Sequence, residues 1–388
     1  MTSRTRLFVL VISVPVIAFA VIGGYLGQAM TRDDTYQHLR VFQDVVDLVL
    51  TNYVEEVDVN KAMKGAMNGL AEGLDPDSAF LTADLVKTLE SNSSAGPAEV
   101  GLEVTRQYYL RVVSARDGSP AAKAGMRTGD FIRAIDGRAT RDMSSYEGSR
   151  LLHGAPGSKV SLLIIRGNAA DPHVVDLVRE RLAGPALTSR MANAATGYVH
   201  ILEFSKQTPA QLKQAIESLA KTGASRYIVD LRGAARGDLD DGIAAARLFV
   251  KSGTLAVRES KGEQREPVIA QSGDGTLGAD LVLLVNQGTA GAAEVFAAAL
   301  DGNNRAALIG QPTLGRAARQ RLIRLPDGSG LWLSNLRYLT PRNEAIHEKG
   351  LRPDVEVEEP EVEFGSEPPT TDATLQRALE YVAQKKAA

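Results

Sequence analysis

Residues 286–294 read Asn-Gln-Gly-Thr-Ala-Gly-Ala-Ala-Glu, and residues 312–320 read Pro-Thr-Leu-Gly-Arg-Ala-Ala-Arg-Gln. Hydrolysis of the Ser-Lys type would need a hydroxyl here to attack and a neutral amine to take its proton. Thr289 supplies a hydroxyl, but no Lys lies between Lys261 and Lys349 to act as its base. Arg316 cannot substitute, because a guanidinium stays protonated in proteins. Gly291 has no side chain. Loss of the nucleophile alone costs on the order of 10⁶ in turnover in a related catalytic unit. A third segment, Asp230-Leu231-Arg232-Gly233-Ala234-Ala235-Arg236-Gly237, follows an apolar run. A loop that aims backbone N–H groups at an oxyanion often needs glycine geometry.

The three segments resemble the active-site blocks of the carboxy-terminal processing peptidases, the tail-specific protease family. That family writes them N-x-G-S-A-S-A-x-E, x-T-F-G-K-G-x-x-Q and D-L-R-x-N-P-G-G. The resemblance implies that Gly291 stands at the nucleophile position and Arg316 at the base position, with the family's own spacing of 25 (316 − 291). Glu294, Gly315 and Gln320 keep the pattern. In the oxyanion loop Ala234, Ala235 and Arg236 replace the Asn, the Pro and the first of two glycines, and Gly237 remains. Nucleophile, base and loop have departed together, so the catalytic set is expected to have no intact member. The expected function is a catalytically inactive homologue that binds protein C-termini or an active paralogue. Two alternatives stand beside it: a slow serine- or threonine-type endopeptidase using Thr289, and an oligomeric scaffold.

Other polar residues carry less. The five His residues (38, 153, 173, 200, 347) show no ligand spacing, so neither a metal nor another cofactor is expected. Ser329 and Ser334 read as turn and strand-end residues. Asp238, Asp240 and Asp241 read as a solvated helix start.

The elements that must position these residues follow from the pattern. Residues 1–30 hold a basic start and a charge-free run from Leu7 to Gly27, long enough as a helix to cross a bilayer. Arg4 and Arg6 before the run favour a cytoplasmic N-terminus, hence a signal anchor with the body outside the cytoplasm, in the bacterial periplasm or cell envelope. Residues 31–95 read as a helical segment, with Leu39, Phe42, Val45, Val46, Val49 and Leu50 on one face. Its end, Leu74-Asp75-Pro76-Asp77-Ser78-Ala79-Phe80-Leu81, resembles the family's L-D-P-H-S-x-Y-L with Asp77 in place of His. Residues 96–180 are similar to a PDZ domain. Val100, Gly101, Leu102, Glu103 and Val104 would form its carboxylate-binding loop and strand, and Ser119-Pro120 would open a short helix closed by Gly125. PDZ domains take a free C-terminus by strand addition.

Residues 181–357 alternate apolar strands with helices and read as α/β, and residues 358–388 as an acidic linker and final helix. The resemblance, over about residues 36–357, implies a protease-like core of the ClpP/crotonase kind with an inserted β-rich PDZ domain. With 388 residues, 44% hydrophobic and a formal charge of −3, the chain can bury a sizeable core in two or three domains. Near-neutral charge without basic runs gives no footprint for nucleic acid. The absence of cysteine excludes a disulfide framework. Expected partners are protein C-termini or unfolded polypeptide, a second copy or active paralogue, and the membrane through the N-terminal helix.

Overall fold

The computed structural model describes residues 36–91, 95–167, 172–360, 362–366 and 371–384. The expected signal anchor lies outside them, and no helix among the described residues is long and apolar enough to cross a membrane. The chain divides into two units, residues 1–66 and 67–388. In the first, residues 36–52 are helical, and Leu39, Phe42, Val45 and Val49 are exposed. The helix Val59–Glu72 crosses the boundary.

The α/β core of the second unit is a six-stranded sheet. Its order is Leu187–Met191, Thr196–Ile201, Arg226–Asp230, Asp280–Val285, Ala306–Gly310 and Val355–Glu356. All neighbours are parallel except the first pair. Alternate residues of the central strands face opposite sides, as the pleat requires. Tyr227, Val229, Leu281, Leu283 and Val285 join the larger core with the helices Thr208–Lys221, Leu239–Ala246 and Ala292–Gly302. Ile228, Val282 and Leu284 meet Ala378 and Val382 of the last helix, Ala373–Gln384. Both faces are covered, so the strands are apolar runs without polar alternation.

A second sheet joins Ala79–Leu81, Gly330–Leu339, Thr254–Ser260 and Glu266–Ile269, and Ala318–Arg324 pairs with Gly330–Leu339. Two expectations are corrected here. The 36–92 region is not helical throughout, because Ala79–Leu81 pairs with Gly330–Trp332 as a strand. Ser334 lies inside one continuous strand, where its hydroxyl donates to Asp75 at 3.2 Å and accepts from Gln320 at 3.2 Å.

The PDZ-like part is an antiparallel sheet in the order Leu102–Gln107, Tyr109–Ala115, Phe131–Ile135, Lys159–Ile165 and His173–Val178, with Arg138–Ala139 paired to Phe131–Ile135. Leu102–Gln107 is an edge strand, and the helix Ser145–Leu152 packs against it. Ser119 caps the short helix Pro120–Lys123, its Oγ accepting from the Ala122 N–H. Tyr146 of the longer helix lies 6.5 Å, ring to ring, from Trp332 of the second sheet.

Candidate functional site

Gly291 joins the strand Asp280–Val285 to the helix Ala292–Gly302 with φ 62° and ψ −119°. A side chain held there projects from a sharp strand-to-helix turn, the strained arrangement used to expose a nucleophile. A Cβ built on Gly291 would meet nothing nearer than the Arg316 carbonyl at 3.7 Å and Leu239 Cδ2 at 3.9 Å. The elbow therefore persists with room for a side chain that the sequence does not supply.

Glu294, one turn into the helix, ties the two blocks together. It is fully buried, and its Oε2 accepts from the N–H groups of Gly291 at 3.0 Å and Arg316 at 2.7 Å. Its Oε1 accepts from the Gly315 N–H at 2.6 Å and the Thr313 hydroxyl. Burial pushes its carboxyl above the usual range, and these four donors pull the other way. All four are donors, so the ionised form satisfies them best. One carboxylate thus fixes the Arg316 backbone beside the elbow.

The Arg316 side chain turns to Asp77, with Nε 3.0 Å from Oδ1, and its Nη1 lies 4.0 Å from Glu103 Oε2. Asp77 raises its pKa further, with a smaller contribution from Glu103 and against the effect of burial. A cation clamped between carboxylates is the opposite of a base. Arg316 is therefore not a solvated surface charge. Gln320 donates to Ser334 Oγ at 3.2 Å and to the Ala318 carbonyl at 3.3 Å, within its own sheet.

Thr289 is not a spare nucleophile. It is 0% exposed, its hydroxyl donates to the Leu231 carbonyl at 2.9 Å, and it accepts from the Asn286 N–H at 3.1 Å. It holds the turn before the elbow to the end of the neighbouring strand.

The 230–237 loop is rebuilt. The Gly233 N–H donates to Asn286 Oδ1 at 3.3 Å, and the Ala234 N–H to the Leu231 carbonyl at 3.1 Å. Gly237 has φ 122°, and a Cβ there would sit 2.5 Å from the Phe204 carbonyl oxygen, so this retained glycine is required by close approach. Arg236 leaves the loop for the PDZ-like part. Its guanidinium grips both oxygens of Glu99 and places Nε 2.6 Å from Glu103 Oε1. Burial lowers the Arg236 pKa, but the hydrogen bonds and charges of Glu99 and Glu103 outweigh it and raise the net value. Burial raises Glu99, and the Arg236 contacts more than reverse that, leaving its carboxyl below the usual range.

Val100, Gly101, Leu102 and Val104 are buried, whereas Glu103 is only partly so and faces the two arginines. Arg111 of the next strand donates to Gln287 at 2.7 Å. A Cβ on Gly288 would lie 2.8 Å from Thr128 Oγ1 and 3.0 Å from the Val113 carbonyl. The PDZ-like sheet and the elbow loop are thus packed against each other. A small pocket of about 20 Å³, room for roughly one water, lies between Gly101, Arg116, His200 and Gly233.

The acidic cluster differs from expectation in one respect. Asp238 does cap the helix Leu239–Ala246, accepting from the Asp240 N–H. Asp240, however, is bound by Arg258 at 2.6 Å, Arg319 at 3.2 Å and the Tyr338 hydroxyl at 2.8 Å, and is not a freely solvated charge. No group of three or more His, Asp or Glu side chains suited to a metal occurs among the described residues.

Sequence reasoning named Asp77, Arg316, Arg236 and Glu103 separately and missed that they form one cluster. The available signal was charge compensation, an acid at 77 where the family has His and an arginine at 316 where it has Lys.

Residues 195–357 match the model of peptidase family S41, and residues 111–166 match a PDZ domain. The chain is 32% identical to the carboxy-terminal processing protease CtpA of Bacillus subtilis, over 93% of this chain and 79% of that one. It is 31% identical to the carboxy-terminal-processing protease of Bartonella bacilliformis, over 86% and 79%. Among solved structures it is similar to a photosystem II D1 C-terminal processing protease, with TM-score 0.68 and 30% identity over 81% of this chain and 86% of that one. The chain belongs to the carboxy-terminal processing proteases of peptidase family S41.

Proposed function

We propose that this member of the family binds protein C-termini without hydrolysing them. The observation that carries the reading is the pairing of an empty elbow at Gly291 with an Arg316 guanidinium ion-paired to Asp77 at 3.0 Å. Its relatives are named as proteases, so binding would be what remains after turnover is lost. The groove between Leu102–Gln107 and Ser145–Leu152 takes the extended C-terminal segment, with the backbone around Gly101 receiving the terminal carboxylate. The charge-free run from Leu7 to Gly27 and the arginines before it support a body held outside the cytoplasm by an N-terminal anchor. The apolar side chains exposed on the 36–52 helix support association with a second copy or an active relative.

The test is hydrolysis of an unfolded reporter by residues 31–388, measured beside binding of the reporter's C-terminal peptide. Saturable binding with no cleavage is expected. Cleavage that survives purification and disappears in an Arg316→Ala variant would overturn the reading.

A further inference from the structure

The acidic linker before the last helix is fixed to the α/β core at both ends. The Val357 N–H donates to the Gly310 carbonyl at 2.9 Å, and Arg232 donates to Asp372 at 2.7 Å. Between these points the linker touches the PDZ-like part. The Ser366 N–H donates to the Glu363 carbonyl at 3.2 Å, and Gly365 has φ 84°. Residues 363–366 are thus a tight turn that needs glycine at its third position and presents Phe364 at its second. The Phe364 ring stacks on His173, 4.7 Å between centres and 19° between planes, and the Arg166 guanidinium lies 4.9 Å from the ring centre. Phe364 also packs against the apolar core of the PDZ-like sheet.

The slot that takes the ring is built by the PDZ-like part alone. Arg166 donates to both oxygens of Asp130, at 2.7 and 2.8 Å, and to the Gly125 carbonyl at 2.6 Å. Its side chain is 13% exposed and that of Asp130 2%. None of these bonds involves the linker, so the guanidinium plane is set before a ring arrives, and such a plane stacks on aromatic faces. His173 is held by the pairing of its strand with Ile164. That strand, His173–Val178, is the opposite edge of the sheet from Leu102–Gln107, so the slot lies apart from the groove assigned above to C-termini.

We propose that the Arg166–His173 slot is a second peptide-binding site, which takes an aromatic side chain presented on a tight internal turn, and that the chain's own residues 362–366 occupy it and so keep it closed to other segments. The ligand class follows from the contacts. A stacked ring and a cation over its face both act on the π-system, and leucine offers neither. Together they favour the occupied slot over the open one by about 5-fold to 70-fold. Only the open fraction takes a second segment, so the parent should bind an added peptide weaker by about that factor than a variant whose linker lacks the ring. A tethered segment acts at an effective concentration of order mM, which puts the free peptide's Kd on the order of 0.1 mM.

The test is carried out on the full chain, with Phe364→Ala to empty the slot. The readout is the ring C–H resonances of His173 in NMR spectra, picked out from the five histidines by His173→Gln. Loss of the stacked ring removes its shielding, so these resonances should move downfield in Phe364→Ala. The added peptide is Pro-Glu-Val-Glu-Phe-Gly-Ser-Glu, the sequence of residues 360–367. It is blocked at both ends, so it offers no terminal carboxylate to the groove. It should return the resonances upfield saturably, and the same peptide with Leu in place of Phe should not. The parent should need about 5-fold to 70-fold more peptide to bind it. An unmoved His173 in Phe364→Ala, no return at millimolar peptide, or an equal effect of the Leu peptide would each overturn the site. Equal binding by parent and variant would overturn its closure by the linker.

Discussion

Restoring the two missing side chains should not by itself restore catalysis, and the reason is Asp77. Serine at 291 has the space, with its Cβ 3.7 Å from the nearest carbonyl oxygen, at a backbone strain of about 1–3 kcal/mol. Lysine at 316 would place its amine near the present guanidinium, which sits 3.0 Å from Asp77 and 4.0 Å from Glu103. One opposite charge at about 4 Å contributes about 4 kcal/mol at an effective dielectric of about 20, before solvent screening. Observed shifts from such pairing are about 1–3 pKa units. A lysine that should fall from about 10.4 towards neutrality to act as a base would instead be pushed up. Each unit removes about nine-tenths of the neutral amine. Gly291→Ser/Arg316→Lys should therefore cleave an unfolded reporter about 10-fold to 10³-fold more slowly than the same protein with Asp77→Asn added. The assay is initial rate against pH for both, and the pH at which activity rises should be lower in the triple variant. Equal rates and equal pH profiles would refute the claim that Asp77 holds position 316 protonated.

Three further outcomes follow from the same contacts. Thr289→Ala should lower stability by about 1–3 kcal/mol, because it strips a buried hydroxyl from a carbonyl and an N–H, and should leave peptide binding intact; thermal melts beside binding curves would check it. Glu294→Gln should cost about 1–3 kcal/mol or more, since an amide N–H₂ must face donors on one side, and denaturant titration would show whether a neutral side chain is tolerated. The Glu99 carboxyl is held below its usual range, so its contribution to docking is present above the unfolded value near 4.5 and is lost as pH falls through the lower folded value. The chain's single tryptophan, Trp332, lies against Tyr146 of the helix Ser145–Leu152, so its fluorescence should change as pH falls below about 4.5; a midpoint above about pH 6 would instead point to His153, whose Nε2 lies 3.7 Å from Glu99.

The core strands were legible because their apolar runs are explained by burial on both faces, a local property of sequence. Tyr227–Asp230 and Leu281–Val285 could be read as strands before any neighbour was known. The short strand Ala79–Leu81 could not. Its three residues follow helical spacing as well as they follow alternation, and only pairing with Gly330–Trp332, about 250 residues away in sequence, decides between them. Ser334 was misplaced for the same reason: Gly330–Leu339 reads as two strands when its pairing with Ala318–Arg324 is unseen.

The site divides along the same line. That Gly291 has no nucleophile and Arg316 is no base follows from covalent chemistry, and needs no coordinates. What the two arginines do instead depends on three carboxylates drawn from the helical segment and the PDZ-like part, at 77, 99 and 103. Without cations beside them these carboxylates would stand unpaired in a half-buried seam, which is strongly destabilising. Arginine at 316 and a second arginine at 236 neutralise two of the three. A guanidinium can hold two carboxylates at once through its planar fork, as Arg236 holds Glu99 and Glu103, whereas an ammonium acts as a point charge. Arg316 is therefore better read through its partner: at the position where the resemblance places a neutral amine, the structure has a guanidinium paired with Asp77.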